Sequence, residues 1–112
     1  MAIPHATPGE PFDVRPLGNA LKDAKSTTLI RGNQLEVIRL VLPAGKHVSE
    51  HQAPGEVTVQ CVEGLVRFIV KGEPRTIQAG DMLLLEAGTP HALEALDSAS
   101  LIVTIRLATD KG

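Results

Sequence analysis

From Ser26 to Leu107 the chain is a series of short β-branched and aliphatic runs, each cut off by a turn signal, with no helix-length amphipathic segment between them. Thr27-Thr28-Leu29-Ile30 ends at Gly32-Asn33, and Leu35–Leu42 stops at Pro43-Ala44-Gly45. Val57–Val62 and Leu65–Val70 read as two strands separated by a tight turn at Glu63-Gly64. Lys71-Gly72-Glu73 is the next turn, followed by a short strand over Arg75–Gln78 and a continuous apolar run over Met82–Leu85. His91–Leu96 alternates weakly, and Leu101–Leu107 closes the series. Turn signals at roughly 8–12-residue spacing are the rhythm of a β-sandwich or β-barrel. Parallel βαβ units would need a helix of 10–15 residues between strands, and the sequence has none.

The segment before Ser26 has a different character. Pro4, Pro8, Pro11 and Pro16 exclude a helix or a central strand, so residues 1–16 read as an extended arm that is either disordered or laid on a partner subunit. Leu17 to Lys25 predicts one or two helical turns, weakened by Gly18. The expected organisation is therefore an arm with a short helical turn over residues 1–25 and one β-barrel domain over residues 26–112. With 43% hydrophobic residues but two Phe and no Trp or Tyr, the core must be aliphatic. The same scarcity argues against stacking platforms for single-stranded nucleic acid, and a formal net charge of −2 gives no basic footprint. Cys61 is the single cysteine, which excludes an intrachain disulfide and suits a reducing cytosol. The N-terminus lacks a basic, apolar leader, and no run approaches the ~18 apolar residues of a membrane span. A cytoplasmic protein with no nucleic-acid or membrane partner is expected.

Two glycine-to-histidine segments carry more specific information. The first begins at Gly45, reaches His51 after five residues and ends at Gly64; the second runs from Gly80 through Gly88 to His91. In this spacing the chain resembles the cupin superfamily, in the form of a small single-domain cupin, over roughly residues 35–107. The resemblance implies a double-stranded β-helix, the jelly-roll-like cupin barrel, in which His51 and His91 face the interior near one another. It also implies a metal site, but an incomplete one. Ala53 stands where the second histidine is usual, and Val57, or Thr58 under a longer spacing, stands where a glutamate is usual. Glu86 and Ala95 replace a usual proline and asparagine in the second segment.

Those departures bear on the chemistry. Residues two apart share a strand face, so the His-x-His chelate that aims two imidazoles at one ion is lost with Ala53. Glu56 is expected to face away from the barrel. His47 is expected to share the His51 face at a Cα separation of ~13 Å in a regular strand. His51 and His91 remain as candidate ligands for a weakly held divalent transition metal (Zn, Fe, Ni, Mn or Cu), and otherwise as a pair binding water, an anion or each other. Cys61 shares the inward face of Val57 and reads either as a third ligand or as a small buried hydrophobe, the blander reading being favoured. The carboxylates, Glu63 among them, are expected to be mostly solvated. No nucleophile motif or phosphate-binding glycine loop is present, so no catalytic residue is assigned and no organic cofactor is expected. A ligand pocket is predicted from Val57, Val59, Cys61, Phe68 and Leu84. The function expected is small-molecule binding in the barrel, with a metal-dependent dioxygenase or isomerase as the alternative. A homodimer is expected to form through an outer sheet face and part of the arm, anchored by Ile3, Phe12 and Val14.

Overall fold

The computed structural model describes residues 5–107; Ile3 and the predicted domain's last residues, 108–112, lie outside it. Seven strands follow a 3₁₀ helix at Gly18–Asp23. They are β1 (Thr27–Arg31), β2 (Leu35–Leu42), β3 (His47–His51), β4 (Val57–Val70), β5 (Glu73–Gln78), β6 (Met82–Leu85) and β7 (His91–Arg106). All pairings are antiparallel.

The two longest strands form a spine. β4 and β7 lie side by side from Val57↔Ile105 to Val70↔His91. At one end the spine is flanked by β6 on β4 and by β2, then β1, on β7; at the other it is flanked by β5 on β4 and β3 on β7. Register slips between Cys61 and Val66 mark the place where the spine bends from one half to the other. Inward side chains of both halves then meet in one cluster that includes Val59, Cys61, Phe68, Leu85 and Leu101. This is the barrel that the strand rhythm predicts.

The bend also corrects two readings. Glu63-Gly64 is not a turn between two strands: β4 passes through it unbroken, and β7 passes unbroken through residues 97–100 opposite. Gly64 has φ +94, and an added Cβ would overlap the Ser98 carbonyl oxygen, so a residue that reads as turn punctuation instead lets two backbones bend against each other. The Lys71-Gly72 turn is as expected. Both residues have positive φ, the geometry of a two-residue hairpin between Val70 and Glu73.

The described part of the arm lies on its own barrel. The Ala6 N–H donates to the Leu29 carbonyl. Arg39, buried on the outer face, donates to the Arg15 carbonyl at 2.9 Å and to the Ser100 hydroxyl at 3.2 Å. That hydroxyl donates in turn to Glu63, whose carboxylate also accepts from the Leu17 and Gly18 N–H groups. Glu63 is thus the hub that fastens the arm, not a solvated charge. Partial burial by itself would raise its pKa, but the bonds from Leu17, Ser100 and Gly18, together with the Arg39 charge, outweigh it and hold the carboxyl below its ordinary range. Among the described residues, no helix is long and apolar enough to cross a membrane.

Candidate functional site

A cavity of about 240 Å³ lies inside the barrel. Its wall is aliphatic apart from Phe68 and the two imidazoles of His51 and His91. Both histidines come from the half that holds β3, and they sit directly opposite each other across the β3–β7 pair. Their ring centroids are 4.2 Å apart with the planes at 63°. His91 is buried and His51 is exposed, so the pair spans the boundary between cavity and solvent.

A bulge creates this arrangement. Val48 pairs with Leu93 and His51 with His91, so β3 advances three residues while β7 advances two. The extra residue reverses the alternation of faces. Val48 and His51 therefore both line the cavity, although an odd number of positions separates them. His47 does not share the His51 face, contrary to the regular-strand expectation. It is exposed and lies 3.6 Å from Glu94, which Arg67 approaches at 3.4 Å from the other side.

The hydrogen bonds of the pair determine what it can offer. His51 Nδ1 lies 2.9 Å from the Ser49 carbonyl oxygen, and His91 Nδ1 lies 3.0 Å from that of Thr89. A carbonyl oxygen only accepts, so each Nδ1 carries the hydrogen, and a ring in its neutral form then has its lone pair on Nε2. The same two-residue backward bond on both rings fixes orientation and tautomer, the support that metal-binding imidazoles characteristically receive. The donor chemistry therefore fits a divalent transition metal held by two Nε2 atoms. Among the described residues, no group of three or more His, Cys, Asp or Glu could hold an ion, so these residues would supply two such ligands at most.

The structure divides the remaining predicted site residues. Val57, Val59 and Phe68 line the cavity. Cys61 does not. It is fully buried in the core near the bend, where its thiol faces the Glu63 and Gly64 carbonyl oxygens, so it cannot join the histidines. Burial pushes the Cys61 thiol pKa up, reinforced by the charges of Asp81 and Glu63 and only partly offset by the Glu63 backbone bond. Leu84 is the clearest displacement: it pairs with the outward Thr58 and is 57% exposed, while Leu85, opposite the inward Val57, lines the cavity. Ala53 packs against the apolar core and Val57 forms cavity wall, so aliphatic groups occupy the places where further ligands are usual. Glu56 is exposed, as expected.

Comparison with known proteins agrees with this architecture. Residues 38–105 match the family described as the cupin domain. No curated protein matches the chain. Among solved structures, a conserved protein of unknown function from Streptococcus pyogenes superposes with a TM-score of 0.74 at 20% identity, covering 97% of this chain and 96% of that one. A cupin superfamily protein from Desulfitobacterium hafniense gives 0.73 at 16% identity, covering 86% and 94%. A salicylate 1,2-dioxygenase from Pseudoaminobacter salicylatoxidans gives 0.68 at 20% identity over 72% of this chain but 25% of its own.

Proposed function

The chain belongs to the cupin-domain family, and on that premise we propose that it binds a small molecule in the barrel cavity, beside a divalent metal weakly held by His51 and His91. The observation that carries this reading is the pair of imidazoles, 4.2 Å apart, each with its Nδ1 engaged by a backbone carbonyl and its Nε2 lone pair free, on the wall of an otherwise apolar cavity. Rings whose centroids lie 4.2 Å apart are close enough for both to reach one ion at bonds of ~2.0–2.1 Å. Affinity is expected to be modest, because structural sites usually supply four protein ligands and catalytic zinc sites three.

The test is metal content after purification without chelator, followed by titration of zinc chloride into the wild type and into His51→Gln. His51 is exposed, so its replacement leaves the core intact. Binding that is unchanged in H51Q would remove the site. A second reading is favoured by the small number of protein ligands: an ion held by two side chains keeps several positions open for substrate and would polarise a bound oxygen as a Lewis acid. That would make the protein a metal-dependent cupin enzyme of the dioxygenase or isomerase type. Turnover of candidate substrates by the iron(II)-loaded protein, read as oxygen consumption for a dioxygenase and as product formation without it for an isomerase, separates catalysis from binding alone.

Two further features belong to this proposal. The outer face of β6 presents Met82 and Leu84, 64% and 57% exposed, and the apolar Phe12 and Val14 of the arm are exposed as well. These are the surfaces a homodimer would bury, and sedimentation of Met82→Glu against wild type tests it. The lone buried thiol of Cys61 accords with a cytosolic location.

A further inference from the structure

We infer that the metal-free barrel takes a compact apolar molecule with a single hydroxyl, an alcohol or a phenol, whose O–H donates to His91 Nε2. This rests on the part of the reading above that seats a small molecule in the cavity. It needs no ion, since a lone pair that accepts a hydrogen bond is not at that moment a metal ligand.

The body follows from the cavity wall. Ile38, Leu40, Val48, Leu93 and Val103 are among the residues that surround the space, and no serine, threonine, asparagine, glutamine or charged side chain joins them. A sugar or other polyol would bring in more hydroxyls than the imidazoles can bond. Each remaining hydroxyl would lose its water and gain no partner. Size follows from volume: about 240 Å³ holds roughly eight groups at the ~30 Å³ of a water molecule.

The head follows from one buried acceptor. His91 is 6% exposed and forms part of the wall. Its Nδ1 hydrogen goes to the Thr89 carbonyl, so Nε2 of the neutral ring accepts and does not donate. The adjacent His51 ring cannot supply a donor to it. The hydrogen of that ring also sits on Nδ1, bonded to the Ser49 carbonyl, and its own Nε2 is a second acceptor. His51 is exposed, so water serves it, whereas His91 is not. A pure hydrocarbon filling the cavity would leave the His91 lone pair dry and unpaired, which is costly. A carboxylate or ether oxygen would set another acceptor against it. A hydroxyl on an apolar body satisfies the lone pair and adds no further polar group, and a site built around such a bond rejects the analogue that lacks it.

The experiment is calorimetric titration of phenol, toluene and erythritol into the full-length protein near pH 8 with a chelator present, paired with nitrogen-15 spectra of the histidine side chains. Toluene replaces the hydroxyl of phenol by a methyl of similar size, and erythritol is a small polyol. The expected result is phenol bound at least fivefold more tightly than toluene, the factor that the net ~1 kcal/mol of one hydrogen bond gives. Phenol should also shift the His91 Nε2 resonance, and erythritol should not bind. Toluene binding as tightly as phenol, or phenol leaving His91 Nε2 unmoved, overturns the hydroxyl head while a small molecule in the cavity stands. Erythritol matching phenol overturns the apolar body. If none of the three binds, the inference falls together with the cavity part of the reading, and the zinc titration described above decides the metal part separately.

Discussion

Gly64 and Gly80 form a natural pair for testing how the barrel is bent over its cavity. Their φ angles are nearly identical, +94 and +95, so an alanine at either position would need a positive φ that L side chains rarely adopt. That conformational penalty is about 1–2 kcal/mol. Their surroundings differ. A Cβ at Gly80 would have no atom within 4 Å, whereas a Cβ at Gly64 would overlap the Ser98 carbonyl oxygen and stand 2.6 Å from Ala99 Cα and Cβ. The obstruction is mostly backbone of the neighbouring spine strand, so it cannot be relieved by a rotamer change. Forced overpacking costs about 1–3 kcal/mol. Gly80→Ala should therefore lose about 1–2 kcal/mol, and Gly64→Ala about 2–5 kcal/mol. At ~4–8 °C per kcal/mol for a domain of this size, the two melting temperatures should differ by roughly 5–20 °C. Thermal and urea unfolding, both followed by circular dichroism, are the assays, since the chain has no Trp or Tyr to report by fluorescence. Equal destabilisation of the two variants would refute the close approach of β4 and β7 at the bend.

Three other outcomes follow from packing and charge. Leu85→Ala should cost about 2–5 kcal/mol as a core truncation, while Leu84→Ala stays within about 0.5 kcal/mol, and urea midpoints of the two variants decide the facing of β6. The folded-state pKa of Glu63 is lowered, so its contribution is full above the ordinary value of 4.5 and is lost as pH falls through the lower folded value. Glu63→Gln should cost about 2 kcal/mol at pH 7, with the gap to wild type closing in acid when urea midpoints are compared. The Cys61 thiol, buried and raised in pKa, should resist a thiol reagent in the native protein and react readily in urea.

Much of the architecture was legible in the sequence because strand formation depends on local signals. Val, Ile and Leu runs ended by Gly, Pro and Asn mark β1, β2 and β6 nearly to the residue. Continuity was harder to see, since Gly64 carries the same signal whether it ends a strand or bends one, and only its neighbour across the sheet distinguishes them. Facing failed where alternation was absent: Met82 to Leu85 is apolar throughout, so nothing local says that Leu85 rather than Leu84 points inward. At the site, the resemblance implied that His51 and His91 would lie close together, and the structure places them so. The bulge that turns His47 away lies in the pairing of β3 with β7 and has no sequence mark of its own. The Glu63 hub joins residues 37 to 46 positions apart in the chain, beyond the reach of any local pattern.

The central claim is that His51 and His91 form one site with their Nε2 lone pairs free. Nitrogen-15 correlation spectra of the side chains test it directly, with four histidines to assign. The account predicts that His51 and His91 are both the Nδ1–H tautomer near pH 8, and that substoichiometric zinc shifts the Nε2 resonances of these two rings together while His5 and His47 stay unmoved. An Nε2–H tautomer at His51 or His91, or a zinc response centred on His47 or His5, would contradict it.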